Sequence, residues 1–369
     1  MVAATSAIFV LLVLAFIHPI SSFMGYADHP SYVWVMAATV ALDAFQCIPF
    51  AYLRYQKRPI KFASLKLLFI VLNIALNLLY YVILGGTEVG YAFYINLACT
   101  GSITFCFWQE LRGFTAGFDR GLMRRMLTYA WPILILGIAG ILNQTADKIL
   151  FPYLYKAGNA HSELGIYGAA SKVAMIMAMI TQAFRYAYEP FVFGKSKDKD
   201  NLDTYAKAMK YFLIFTLLAF LCVVGYMDVL RHIIGRDYWP GLRVVPIVMA
   251  AEIMMGIYFN LSFWYKLIDK TIWGAVFSGA GCLVLIGVNV VFVPQYSYMA
   301  CAWAGFAGYA TAMILSYFVG QRKFPINYPI GQMKVYVGLA VVLFAAMNWT
   351  NNTLGTVAAL GVNTLLIGI

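Results

Sequence analysis

Residues 123–151 read MRRMLTYAWPILILGIAGILNQTADKILF. Arg124 and Arg125 open the stretch, and no charged or amide side chain follows from Met126 to Leu142. Polarity returns at the far end, with Asn143, Gln144, Asp147 and Lys148. An apolar run bounded this way predicts a membrane-spanning helix, because the hydrocarbon core takes about 20 apolar residues to cross. The same pattern repeats outward from this stretch. Twelve candidate spans emerge, at 2–19, 32–53, 65–84, 91–109, 128–151, 166–188, 209–229, 243–264, 272–293, 298–319, 333–348 and 354–369. Barrel strands would be about 10 residues of alternating polarity, and these runs are longer and continuous. The predicted fold class is therefore an all-α polytopic membrane protein with about 12 transmembrane helices.

Composition agrees. Of 369 residues, 63% are hydrophobic, 17% aromatic and only 11% charged. Soluble domains are about 45–50% apolar and roughly 25% charged. A soluble enzyme, a disordered chain and a secreted disulfide scaffold are thereby excluded. The net charge of +11 would suggest nucleic acid in a soluble protein. Here the basic residues fall in alternate loops instead, so no nucleic-acid partner is expected. Clusters at 54–66, 112–125, 195–210, 266–270 and 322–334 hold nineteen Lys and Arg, whereas the other loops hold only Lys156, Arg231, Arg236 and Arg243. The richer side is predicted to be cytoplasmic, and with it both ends of this chain. No Lys or Arg precedes the first span, and the last is short and ends without a polar flank. The chain thus reads as a fragment of a longer protein.

Cys47, Cys99, Cys106, Cys222, Cys282 and Cys301 all fall in apolar stretches. Their spacing suits neither a metal site nor a disulfide framework, and they read as small core residues. The four histidines do not cluster, and there is no phosphate-binding loop or nucleophile elbow. No cofactor or metal is expected. The exterior loops are short, about 16 residues at most, which leaves no room for a catalytic domain. The chain does not read as an enzyme.

The informative residues are the charges inside spans. A charge at the bilayer centre costs about 2.5–3.5 kcal/mol on insertion scales, so each needs a water-filled path or a partner. The cations are Lys148, Lys172 and Arg185; the acids are Asp43, Asp147 and Glu252, with Glu189 at a span edge. On the sixth span Ser171, Met175, Ala178, Gln182, Arg185 and Glu189 follow steps of three and four, and so share one helical face. On the fifth, Asn143 aligns with Asp147 and Gln144 with Lys148. Two consecutive helices thus present polar stripes. A lumen lined by Lys148, Lys172, Arg185, Gln182, Asn143 and Gln144 suits an anionic head such as a pyrophosphate. Asp43, Asp147, Glu189 and Glu252 are candidates for ion coupling or local pairing. The bland alternative is snorkelling of the long cations to the interface, and simple pairing of Asp147 with Lys148 and of Arg185 with Glu189.

The stretch quoted above, followed by GIYGAASKVAMIMAMITQAFRYAYEPFVF at 165–193, resembles the start of the second half of polysaccharide-biosynthesis flippases. These belong to the multidrug/oligosaccharidyl-lipid/polysaccharide exporter superfamily. The resemblance is carried by Pro132, Asp147, Lys148, Gly165, Ile166, Tyr167, Lys172 and Pro190. Lys148 is a mild departure, since the family often has Arg there. Weaker matches are ALDAFQCIPFAYLRYQKRPIKFASLKL at 41–67 and, near the end, KLIDKT, Asn289 and VPQYSYMACAWAGFAGYATAMILSYF at 293–318. The resemblance implies two helical lobes around a central cavity, plus two extra C-terminal helices. Its divisions would be 1–114, the remainder of a first lobe with about four helices; 115–325, a second lobe with an amphipathic lead-in and six helices; and 326–369, the two extra helices. The first two helices of such a transporter would precede this chain.

The resemblance further implies a transporter that flips a polyprenyl-pyrophosphate-linked oligosaccharide across a bacterial inner membrane by alternating access. Glycosyltransferases or a polymerase of the same pathway would be its protein partners. Two other readings stay open at this point. One is a cation-coupled drug antiporter of the same superfamily, which should carry an acidic, apolar-lined cavity. The other is a membrane-embedded polymerase or ligase, for which RHIIGRDYWPGLR at 231–243 is the candidate exterior loop.

Overall fold

The computed structural model describes every residue except 1, 57, 112–118, 195–200, 268–269, 271, 354 and 369. The side chains of a few others, Pro132, Asn143, Glu189 and Pro190 among them, also lie outside the described set. All regular structure among the described residues is helical. The chain divides into two compact units, Met1–Arg120 and Gly121–Ile369.

The first unit contains α1 (Val2–Ala15), α2 (Ile17–Phe23), α3 (Pro30–Tyr55), α4 (Pro59–Leu78), α5 (Tyr91–Cys106) and α6 (Trp108–Leu111). Pro30 and Pro59 open α3 and α4 in the first turn, where a missing N–H costs nothing. The single span expected at 2–19 is bent by 78° between α1 and α2. Pro19 supplies the reason: its ring nitrogen cannot donate to the carbonyl four residues back, so a straight helix fails one turn earlier. A core of Phe50, Leu53, Leu65, Ile103 and Phe107 joins α3, α4 and α5. The buried Gln46 ties α3 to α5 by donating from Nε2 to the Thr100 carbonyl and the Thr104 hydroxyl, each at 2.7 Å.

The second unit contains α7 (Arg120–Leu154), α8 (Ala160–Gly194), α9 (Asn201–Gly225) and the short α10 (Met227–Leu230). Two 3₁₀ segments, Arg231–Ile233 and Arg236–Val244, lead into α11 (Val245–Leu261) and α12 (Phe263–Leu267). Then come α13 (Ile272–Tyr296), α14 (Tyr298–Lys323), α15 (Ile330–Thr353) and α16 (Thr356–Ile367). Helices α13 and α14 lie against each other closely enough that a Cβ on Gly281 would stand 2.6 Å from the Gly308 carbonyl oxygen. Small residues at such a crossing matter because lipid offers helices no hydrophobic drive to associate, and contact area must supply it. A polar clasp fixes α16: the buried Asn363 donates to the Gly225 carbonyl at 3.0 Å and to Asn351 Oδ1 at 2.8 Å, and accepts from Thr350 at 2.8 Å.

Each of the twelve expected spans coincides with a helix. Eight helices among the described residues are long and apolar enough to cross a membrane, and the bent α1–α2 pair would make nine. Of the other three, α5 and α16 are short, with 16 and 12 residues. Helix α7 has 35 residues, and several side chains in its middle lie outside the described set. Apolar side chains such as Leu11, Ile70, Val71 and Val342 are more than half exposed. In water such a surface would be penalised at about 25 cal/mol per Å²; facing lipid it is not. The chain is a multi-pass membrane protein. One expectation changes: only Cys99 and Cys301 are buried, while Cys47 and Cys106 are exposed, and Cys222 and Cys282 lie between. A thiol is apolar enough to sit on an apolar helix surface as well as inside one.

Candidate functional site

Within the second unit, α7, α8, α11, α13 and α14 enclose a cavity of about 250 Å³. Helix α7 contributes Gln144, Asp147 and Lys148, which the i, i+3, i+4 spacing places on one face. Helix α8 contributes Tyr167, Ser171, Ala174, Met175, Ala178, Thr181 and Gln182, again in steps of three and four. Glu252, Met255 and Phe259 close the cavity from α11, and Gly305 and Tyr309 from α14.

Asp147 is the fixed point of this cavity. It is only 6% exposed. Its Oδ2 accepts from the Tyr167 hydroxyl at 2.6 Å, and its Oδ1 accepts from the Lys148 backbone N–H at 2.8 Å. The Lys148 ammonium lies 5.7 Å from the centre of the Tyr167 ring, a cation–π arrangement. Asp147 and Lys148 therefore meet through Tyr167, and among the described residues their side chains form no ion pair. Thr181 Oγ1 and Gln182 Oε1 are buried with no hydrogen-bond partner among the described residues. Buried polar atoms in native structures are nearly always paired, so such atoms at a cavity wall mark a place for water or a polar ligand.

The sequence-derived candidates separate. Gln144, Asp147, Lys148, Gln182 and Glu252 are brought together. Lys172 is not: it lines a separate surface groove with Gly165, Gly168 and Tyr238. The helix explains this, because each residue turns about 100° from the one before, and Lys172 follows the cavity-lining Ser171. Arg185 lies one turn beyond Gln182, with its guanidinium 4.8 Å from the centre of the Phe259 ring, next to the cavity and outside it. Asp43 is an exposed residue of α3, in the other unit. Asn143 and Glu189 have side chains outside the described residues. Among the described residues the cavity thus holds one cation and two carboxylates, whereas the sequence suggested a row of cations. Sequence reasoning named Tyr167 only as part of a motif and missed its bond to Asp147; Thr181, Phe259 and Tyr309 were missed entirely. A hydroxyl, an aromatic ring and a phenol inside apolar helices carry no signal until the helices meet. No group of three or more metal-ligating side chains occurs among the described residues.

Comparison with known proteins places this architecture. The solved structure titled "Lipid II flippase MurJ, inward closed conformation" superposes with a TM-score of 0.78 at 14% identity, covering 99% of this chain and 81% of that one. A multidrug/oligosaccharidyl-lipid/polysaccharide superfamily transporter from Pyrococcus furiosus gives 0.61 at 13% identity, covering 87% and 76%. A multidrug and toxin extrusion transporter in its straight conformation gives 0.60 at 14%, covering 90% and 77%. At these identities the likeness is one of fold. No curated protein sequence matches the chain significantly. The model of one family, described as polysaccharide biosynthesis protein, matches residues 1–240. With nearly two thirds of its length matched, and the fold shared with superfamily transporters, this chain belongs to the polysaccharide biosynthesis protein family.

Proposed function

We propose that the protein flips a polyprenyl-pyrophosphate-linked oligosaccharide across the bacterial inner membrane by alternating access. The observation that carries this reading is membership of a polysaccharide biosynthesis family in a chain folded like a lipid flippase. The cavity fits a polar head: Lys148 offers a cation, and Gln144, Thr181 and Gln182 offer hydrogen-bonding groups in a bilayer-embedded setting. A charge-assisted hydrogen bond is worth about 1.5–3 kcal/mol, roughly tenfold or more in affinity. Lys172, Arg185 and Asn143 extend the cargo path beyond this cavity. Asp43, Asp147, Glu189 and Glu252 serve ion coupling or local pairing, Asp147 and Glu252 beside Lys148 in the cavity. Helices α15 and α16 are additions to a lobe that ends near residue 325. The basic loops and both ends of this chain face the cytoplasm, where glycosyltransferases of the same pathway load the lipid carrier.

The excess of carboxylates over cations in the cavity favours a second reading, a cation-coupled drug antiporter. Export assays separate the two. In a strain lacking its polysaccharide flippase, the intact protein restores surface polysaccharide, and Lys148→Ala lowers that output about tenfold or more at equal membrane abundance. Unchanged polysaccharide in Lys148→Ala, together with ethidium efflux that Glu252→Gln abolishes, would establish the antiporter instead.

A further inference from the structure

A second cavity lies in the first unit. It has a volume of about 650 Å³, and His29, Tyr32, Glu88, Gly90, Tyr91 and Tyr94 are among its lining residues. That volume lies within the roughly 300–1,000 Å³ of small-ligand sites. It sits where the start of α3, the loop after α4 and the start of α5 converge. The charge distribution assigns these segments to the exterior, the side poor in lysine and arginine.

The walls are rings. His29 stacks on Tyr32 at 4.9 Å between centroids, and Tyr32 lies 6.4 Å from Tyr94, edge to face. Tyr91 is 6.0 Å from Tyr94 and stacks on Tyr80 at 4.5 Å. An interfacial aromatic belt consists of rings that point separately into the headgroups. Here the rings brace one another around an opening, and the backbone is shaped to let them. Gly90 is buried, and a Cβ there would overlap the Tyr32 ring, standing 2.1 Å from its Cζ. The Tyr81 hydroxyl donates to the Glu88 and Val89 carbonyls at 3.1 and 3.2 Å, which fixes the loop bearing Glu88. Tyr91 and Tyr94 remain 44% and 37% exposed.

We propose that the pocket formed by His29, Tyr32, Glu88, Tyr91 and Tyr94 is a saccharide-binding subsite. A sugar ring presents an apolar face of C–H groups that lies flat on an aromatic ring, and a rim of hydroxyls. The tyrosine faces meet the first requirement. The Glu88 carboxylate, the His29 imidazole and the phenolic hydroxyls meet the second. Tyrosine suits both, being apolar in body and polar at the tip. The inference rests on the transport reading for its physiological ligand, the glycan of the lipid-linked cargo on its exterior side. Binding of a free sugar tests it separately.

The experiment is saturation-transfer NMR on the full chain in nanodiscs, with glucose, galactose, mannose, rhamnose, N-acetylglucosamine and lactose as probes. The expected result is transfer to the ring C–H protons of at least one probe. It should weaken about tenfold in Tyr91→Ala, be retained in Tyr91→Phe, and fall in Glu88→Gln. Thermal melting of each variant, with Tyr94→Ala as a second ring deletion, confirms that the fold is intact. Absence of transfer from all six sugars, or equal transfer to wild type and folded Tyr91→Ala, overturns the subsite. Lys148→Ala distinguishes the two proposals. If it blocks export while the ring deletions leave sugar binding unchanged, the subsite is wrong and the transporter reading stands. If sugar binding is lost in Tyr91→Ala while Lys148→Ala exports normally, the subsite stands and the role given to the cavity falls.

Discussion

Asp147 needs a partner because a carboxylate in a helical bundle has little water to solvate it. Tyr167 provides one at 2.6 Å, from the adjacent helix. Removing that hydroxyl leaves a buried acceptor short of a donor, which costs about 1–3 kcal/mol. Tyr167→Phe is therefore expected to lower the melting temperature of the detergent-solubilised protein, and Tyr167→Phe made on top of Asp147→Asn should cost less than it does alone. Equal costs in both backgrounds would mean that the hydroxyl acts elsewhere. Half of this pair was legible in the sequence. An aspartate closing an apolar run is conspicuous because its insertion is costly. A tyrosine in such a run is ordinary, and only tertiary packing joins residues 147 and 167.

Apolar runs located the long helices, because lipid demands length and hydrophobicity of each crossing regardless of its neighbours, while short pieces such as α6 and α12 went unseen. The bend between α1 and α2 was missed although Pro19 was there to be read; hydropathy is blind to a missing N–H. Crossings between helices were not readable, since they depend on which faces meet. The α13–α14 contact shows what such a crossing demands. A Cβ at Gly281 would press on the Gly308 carbonyl, whereas Gly279, on the same helix, faces open space. Gly281→Leu should force the helices apart and destabilise by about 1–3 kcal/mol or more, and Gly279→Leu should be tolerated. Thermal unfolding of the two variants side by side checks this. Equal loss in both would show that the close approach contributes nothing.

At the scale of the molecule, charge carries two expectations. Nineteen basic residues in alternate loops lead us to propose that those loops face the cytoplasm. The three cations inside spans suggested one cationic lumen; among the described residues Lys148 lines the cavity, beside Asp147 and Glu252, and Lys172 and Arg185 do not. The stripe on α8 was real: Ser171, Met175, Ala178 and Gln182 all line the cavity. Arg185 runs past its end onto Phe259, and Lys172 is turned away by a single residue step. Face arithmetic along one helix is reliable; the depth at which a neighbouring helix closes the space is not written in that helix.

We propose that this fold moves a lipid-linked oligosaccharide whose charged head is engaged by Lys148 in the α7–α8–α11 cavity. The most direct measurement reconstitutes the intact protein in proteoliposomes with a fluorescent polyprenyl-pyrophosphate-linked oligosaccharide, and follows its arrival in the opposite leaflet by chemical quenching. Protein-dependent translocation is expected, falling about tenfold or more in Lys148→Ala and surviving in the conservative Lys148→Arg. Translocation no faster than in protein-free vesicles, or equally fast in wild type and Lys148→Ala, would contradict it.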